Sequence, residues 1–264
     1  MKDPQLAGFY LQAGVLALCL WIESLAPLFM DRSPTQRLRH GVRNLGLGLA
    51  NGAVLTFLVW QWIALASRWS QTQRFGLLNE LDLTAGTRAV AGFFLFDLWM
   101  YLWHRANHGV PFLWRFHRVH HTDPALDSTS AYRFHIGEMV LSAVTRLAVV
   151  PVLGIRIQDL VLYELVLSPV IIFHHSNIAL PEWLDRKLRS LIVTPGMHRV
   201  HHSDIPHETN SNYASVFSFW DRACRTYCRR DNIRLHYGLK EFPALRWDTL
   251  RGMLLQPLAS SRRV

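Results

Sequence analysis

Cysteine is nearly absent from this chain. Cys19, Cys224 and Cys228 are the only three in 264 residues, and no two of them form a CxxC pair. A disulfide framework and a Cys₄ cluster box are thereby excluded, and the three read as reduced thiols of an intracellular protein. Acidic residues are also few, 19 against 28 Lys and Arg, for a net charge of +9 and a pI near 10. In a soluble protein that basicity would point to nucleic acid. Here half of the residues are hydrophobic and the charges stand apart from long apolar runs. The expectation is therefore a membrane protein with basic faces on one side and no nucleic-acid partner. Low-complexity tracts are missing. A cleaved signal peptide is not expected either: Asp3 follows Lys2 at once, and the apolar run over residues 6–30 is longer than a signal-peptide core. Neither the zinc-protease box HExxH nor the dinucleotide fingerprint GxGxxG occurs.

What is present is apolar sequence long enough to cross a bilayer. Residues 6–30 carry one internal charge, Glu23, and residues 44–67 carry none. At about 1.5 Å per residue either run spans a hydrocarbon core of roughly 30 Å. Residues 89–103 form a shorter run that is expected to start near Thr84 and to continue into His104 and His108. Residues 139–150 and 160–173, with Pro151 and Gly154 between them, read as a hairpin that enters the bilayer and returns; Pro169 should kink its second arm. Residues 31–43 hold Arg32, Arg37, Arg39 and Arg43 against one acid and are placed in the cytoplasm. Residues 68–88 are nearly balanced, as expected of the far side. The chain after Phe173 returns to the cytoplasm with fourteen of the 28 basic residues. There it should form a helical cap, with Trp183, Trp220, Tyr227 and Trp247 toward the membrane.

Against this background the histidines are concentrated. His-Arg-Val-His-His occurs twice, at 117–121 and 198–202, and His104 and His108 precede the first copy. Residues three and four apart share a helix face. Each box is therefore expected to point His117, His120 and His121, or His198, His201 and His202, the same way. Imidazole is the commonest neutral metal ligand and suits zinc, copper, iron and nickel. One ion takes four to six ligands, so eight histidines suggest two ions. Asp97 lies two turns before His104, where a carboxylate at membrane depth could accept from an imidazole N–H. Glu138 and Arg133 could orient ligands in the same manner. His40 and His236 are expected at the surface.

The order of these boxes strongly resembles the fatty acid hydroxylase/sterol desaturase superfamily of membrane-bound histidine-box di-iron oxygenases. The matching text runs from Asp97 through Trp103-His104 to His108, then His117 to His121, then Arg133-Phe-His135-Ile-Gly-Glu138. It resumes at His174-His175-Ser176-Asn177 and at His198 to His202, and closes with Asn212-Tyr213, Trp220-Asp221-Arg222 and Thr226-Tyr227. It covers residues 90–230, whereas residues 1–88 match only as generic spans. The resemblance implies that His104, His108, His117, His120, His121, His198, His201 and His202 are metal ligands, with His175 a ninth. Asp97, Glu138 and Asn177 are expected to support the chemistry from behind the ligands. His135, His174 and His207 are candidates for the same supporting layer. Ile136 departs from the proline that many members place after this histidine.

The expected fold is all-α: about four transmembrane or re-entrant helices capped by a cytosolic helical domain with a histidine-rich di-metal site. Residues 1–88 would form an N-terminal transmembrane hairpin, 89–230 the catalytic domain and 231–264 a basic C-terminal tail. The resemblance implies two iron ions, dioxygen as co-substrate and electrons from an external reductase or small electron carrier. The activity implied is hydroxylation, or desaturation, of a membrane lipid received in a pocket beneath the metals. The localisation expected is a bacterial inner membrane with the metals on the cytoplasmic face. Two rivals stand beside this reading. One is a membrane zinc hydrolase using Glu138, Glu208 or Asp204 as its acid or base; the other is a non-enzymatic metal transporter or sensor, whose histidines should line a path through the spans.

Overall fold

The computed structural model describes residues 4–30, 32–230 and 235–260. Arg234, Arg262 and Arg263 of the basic tail lie outside them. Five long helical stretches make the body of the protein. Helix α1 covers Pro4–Leu25. Helix α2, Pro34–Val54, passes through a π-helical turn at Leu55–Val59 into α3, Trp60–Thr72. Helix α4 covers Ala85–Gly109, and α5, Pro111–His121, follows after one non-helical residue. Helices α6, Ile136–Leu153, and α7, Ile157–His175, form the hairpin read from the sequence. Shorter helices complete the chain: α8 Glu182–Leu188, α9 Pro195–His201, α10 Pro206–Thr209, α11 Phe219–Ala223, α12 Ala244–Trp247 and α13 Leu250–Leu255. Among the described residues the extended segments make only isolated bridges, such as Pro27 with Ile178.

Local chemistry sets these boundaries. Ser33 caps α2 in a reciprocal pair with Gln36, and Pro34 occupies the first turn, where no amide hydrogen is needed. Thr84 caps α4 by accepting from the Thr87 amide. Gly154, at φ +72°, closes α6 in the left-handed conformation. Pro151 and Pro169 lie inside α6 and α7, which continue through them.

Four stretches are long and apolar enough to cross a membrane: Ala7–Leu25, Pro34–Asn79, Ile136–Leu153 and Ile157–His175. The protein is an integral membrane protein by this measure, and α4 stands outside the four. Large apolar side chains on α1–α3, among them Trp21, Phe57, Leu58 and Trp62, are more than half exposed. Such a surface suits hydrocarbon and not water. Helix α7 packs against α1, α3, α4 and α9 and so occupies the centre. Its Leu160, Tyr163 and Leu167 join Phe96 of α4 and Val150 of α6 in the largest core cluster.

The connections define two ends. At one, Ser70 donates to the Pro151 carbonyl, Gln71 to that of Gly154 and Arg156 to that of Ala85. The tip of the α6–α7 hairpin thus reaches the connection between α3 and α4, so the hairpin runs the full length of the bundle. At the other end, Arg32 donates to the Ala125 carbonyl, Arg43 pairs with Asp248, and Asn177 meets Phe29. The first basic loop and the histidine-bearing segments share this end. The aromatic belt expected for the cap is only partly present. Trp183 is exposed, but Trp220 donates to Asp97 inside the protein and Trp247 is buried against Phe242.

Candidate metal centre

The site is assembled from the ends of α4 and α7, the length of α5 and the short helix α9. Pro111 restarts the chain after Gly109 so that α5 folds back, bringing His117 to 5.0 Å from His104 between ring centres. Pro195 starts α9 in the same way, with the Thr194 hydroxyl capping it. The two boxes then face each other, with His121 and His202 stacked at 4.5 Å and 20°.

Nine histidines converge in two groups. His104, His108, His117, His121 and His201 form one; His120, His175, His198 and His202 form the other. Within each group a nitrogen of every ring lies within 4.8 Å of the rest. Among the described residues these are the groups of three or more potential ligand side chains so placed. Each box divides. From the first, His117 and His121 go to one group and His120 to the other. From the second, His198 and His202 pair while His201 crosses over. The expectation that all three rings of a box point the same way therefore needs correction: only the residues four apart do.

The groups behind the rings decide their tautomers. Nδ1–H of His104 donates to the Tyr213 carbonyl (2.8 Å), that of His120 to Arg133 (3.2 Å), that of His175 to Ile171 (2.8 Å) and that of His201 to Ser211 (2.6 Å). His117 donates from Nδ1 to Glu138 Oε1 at 2.8 Å. Carbonyls only accept, so each of these rings keeps its proton on Nδ1 and presents a bare Nε2 inward. Yet Nε2 of His120 and Nε2 of His175 stand 3.1 Å apart, and Nε2 of His104 and of His201 have no partner at all. Two lone pairs cannot hydrogen-bond to each other. Their approach to 3.1 Å is the spacing of neighbouring nitrogens on one cation at bonds of about 2.0–2.1 Å. The donor set therefore fits a metal ion in each group.

Burial reinforces this. It is the first cause holding the pKa values of His120, His121, His198 and His202 well below the ordinary 6.5, followed by the other imidazoles; His201 falls to about 3. All five rings are neutral, the form that binds metal.

Several signals were illegible in the sequence. The arginine inside each box is buried and ties it to distant chain. Arg118 donates to the Gln256 and Ala259 carbonyls; Arg199 donates to those of Ser176 and Ile178. Asp221 accepts from the amides of Tyr213 and Ala214, which holds the carbonyl that receives His104. Phe134 stacks on His120 at 4.3 Å. The repeated Arg in the box was the available signal, but a surface role explains it as readily.

Other expectations are corrected. Asp97 touches no imidazole: it accepts from Tyr163 (2.7 Å), Trp220 (2.8 Å) and the Phe217 amide (3.2 Å) and holds α4, α7 and the α11 region together. Asn177 exchanges two hydrogen bonds with the Phe29 backbone and donates its amide to Glu23, away from the rings. His135 caps α6, accepting from the Gly137 amide and donating to the Leu254 carbonyl. His207 and His236 are exposed, whereas His174 is buried with its ring 4.0 Å from His198. His40 is not at the surface. It is clasped between Asp123 (2.7 Å) and Asp127 (2.9 Å), because α2 packs against the loop that follows the first box. Burial alone would raise the Asp123 carboxyl, but His40 and Arg133 outweigh it and hold the pKa well below the usual range.

A cavity of about 240 Å³ opens from the rings into the bundle between α4, α6 and α7. His104, His117, His120, His175 and His198 form one wall, and Met100, Trp103, Phe134, Met139, Leu167 and Ile171 line much of the rest. The expected pocket is present, beside the histidine rings.

Comparison with known proteins places the chain. A fatty acid hydroxylase family profile matches residues 89–226, just over half of it. Alkylglycerol monooxygenase of Xenopus tropicalis is 29% identical over 54% of this chain, and ornithine lipid hydroxylase OlsE of Rhizobium tropici 26% over 53%. These matches span only 31% and 41% of the two relatives' own lengths. Cholesterol 25-hydroxylase of Rattus norvegicus is 26% identical over 88% of this chain and 76% of its own. No solved structure gives a significant match.

Proposed function

The chain belongs to the fatty acid hydroxylase family, and on that premise we propose that it is a membrane di-iron oxidoreductase that hydroxylates an unactivated carbon of a lipid. The observation that carries the reading is the pair of histidine groups, bare nitrogens inward, forming one wall of a largely apolar cavity inside the bundle. His104, His108, His117, His121 and His201 would hold one iron, and His120, His175, His198 and His202 the other. The irons would supply dioxygen activation, with one oxygen atom inserted into the C–H bond and the other leaving as water. That balance requires two electrons and two protons, and an external reductase or small carrier must provide the electrons.

The chain's own residues do the rest. Glu138 and the carbonyls of Tyr213, Arg133, Ile171 and Ser211 orient the rings, and the apolar walls exclude water from the bound chain. The carboxylates a zinc hydrolase would use are engaged: Glu138 with His117, Glu208 with Arg230 and Asp204 with Lys240. Arg32, Arg37 and Arg43 reach the histidine-bearing end, which supports a cytoplasmic metal site in a bacterial inner membrane. Mass spectrometry of lipids from cells with and without the protein tests the proposal. One lipid class should gain the mass of one oxygen, dependent on iron. Unchanged lipids in an iron-replete, reductase-competent host would refute it.

A further inference from the structure

The cavity has a polar part of its lining that the histidines do not explain. Arg146 on α6 and Glu164 on α7 both line it, joined by a 2.5 Å hydrogen bond. Each sits near the middle of a helix apolar enough to cross a membrane, where a charge is costly and usually functional. The pair is not saturated. The Arg146 guanidinium faces the Phe96 ring and approaches Met100 Sδ, and its Nε is buried without a hydrogen-bond partner. Ser142 and Ser168 line the same stretch, and Ser168 receives a hydrogen bond from Gln12 of α1.

We propose that Arg146 and Glu164 are specificity-determining residues that bind a hydroxyl group of the lipid substrate, so that the substrate is a neutral lipid alcohol held with its hydroxyl deep in the bundle. The inference deepens the lipid-oxidising reading of this cavity and rests on it. The chemistry selects the group. A guanidinium N–H donates and a carboxylate accepts, so the pair satisfies a hydroxyl, which does both. The two charges cancel, leaving no net attraction for an anion; a fatty-acid carboxylate would have to displace Glu164 from Arg146. Both residues stand back from the histidine-bearing ends of their helices. Glu164 is eleven residues before His175 and Arg146 eight after Glu138, roughly 16 Å and 12 Å at about 1.5 Å per residue.

Binding of radiolabelled hexadecanol, its methyl ether and palmitate to the purified full-length protein in detergent tests this without turnover. The alcohol should bind on the order of tenfold to a hundredfold more tightly than the ether, the scale of hydrogen bonds to charged groups. In the Arg146→Met/Glu164→Met double variant, which leaves no unpaired buried charge, the preference should disappear. An unaltered melting temperature in that variant would confirm that it folds. Equal binding of alcohol and ether by the wild type, preference for palmitate, or a preference that survives the double substitution would each overturn the proposal. If the alcohol preference is found but the iron-loaded protein oxidises no lipid, the hydroxylase reading fails and the hydroxyl site stands.

Discussion

His120 and His121 are neighbours in the chain, yet their rings are turned 88° to each other and belong to different histidine groups. One residue of offset on α5 is about 100° of rotation, enough to send adjacent side chains to separate groups. This yields an expectation that a single shared site would not. His121→Ala should weaken metal binding in the group of five, and His120→Ala in the group of four. Elemental analysis of either protein should give close to one tightly held ion per chain in place of two, with oxidation lost and membrane insertion intact. Two retained ions, or wild-type turnover, would remove the substituted ring from the site. His236→Ala, at an exposed position, should behave as wild type.

Glu138 is the carboxylate hydrogen-bonded to a ring of the site, at 2.8 Å from His117 Nδ1. Glu138→Gln keeps an acceptor there but removes its charge. Metal affinity should fall by about ten- to a hundredfold, the usual cost of altering a group that orients a ligand. Titration with a competing chelator measures it, and Glu138→Ala should cost at least as much. An unchanged affinity in both variants would mean that His117 needs no support.

Asp97 offers the opposite outcome. Its carboxylate satisfies Tyr163, Trp220 and the Phe217 amide, and removal strands those buried donors at about 1–3 kcal/mol each. Asp97→Ala should lower the thermal midpoint sharply while the fraction that remains folded binds two metal ions. Loss of metal without loss of stability would restore the direct role read from the sequence.

Acid should destabilise the metal-free protein. His120, His121, His198, His201 and His202 have folded pKa values below 6.5, with His201 at about 3. As pH falls through 6.5 the unfolded chain takes up protons first. Stability is therefore fully present above about pH 6.5 and declines below it, by as much as about 1.4 kcal/mol per pH unit for each group. Melting curves of chelator-treated protein between pH 7.5 and 5 measure this. A flat profile would show that the rings are not held neutral by the fold.

Helix boundaries, spans and the family were legible because each depends on local pattern. Thr84 and Ser33 announce their helices by capping chemistry, and Gly154 by the need for a left-handed residue. Supporting contacts were not legible, because a polar side chain such as Asp97, Asn177 or His40 finds its partner across the fold. Sequence distance says nothing about that. His40 meets Asp123 from 83 residues away, and Asp97 meets Trp220 from 123.

The spacing of histidines along the chain was enough by itself to mark a candidate metal centre and to suggest two ions, but not to show that only the residues four apart in each box face the same way. Which group each ring joins was decided only when α5 and α9 came together. A helix dictates the angles between its own side chains but not its orientation toward a neighbour. That orientation follows from Arg118 and Arg199, buried and anchored to remote carbonyls, and it makes the middle ring of each box cross to the other's group.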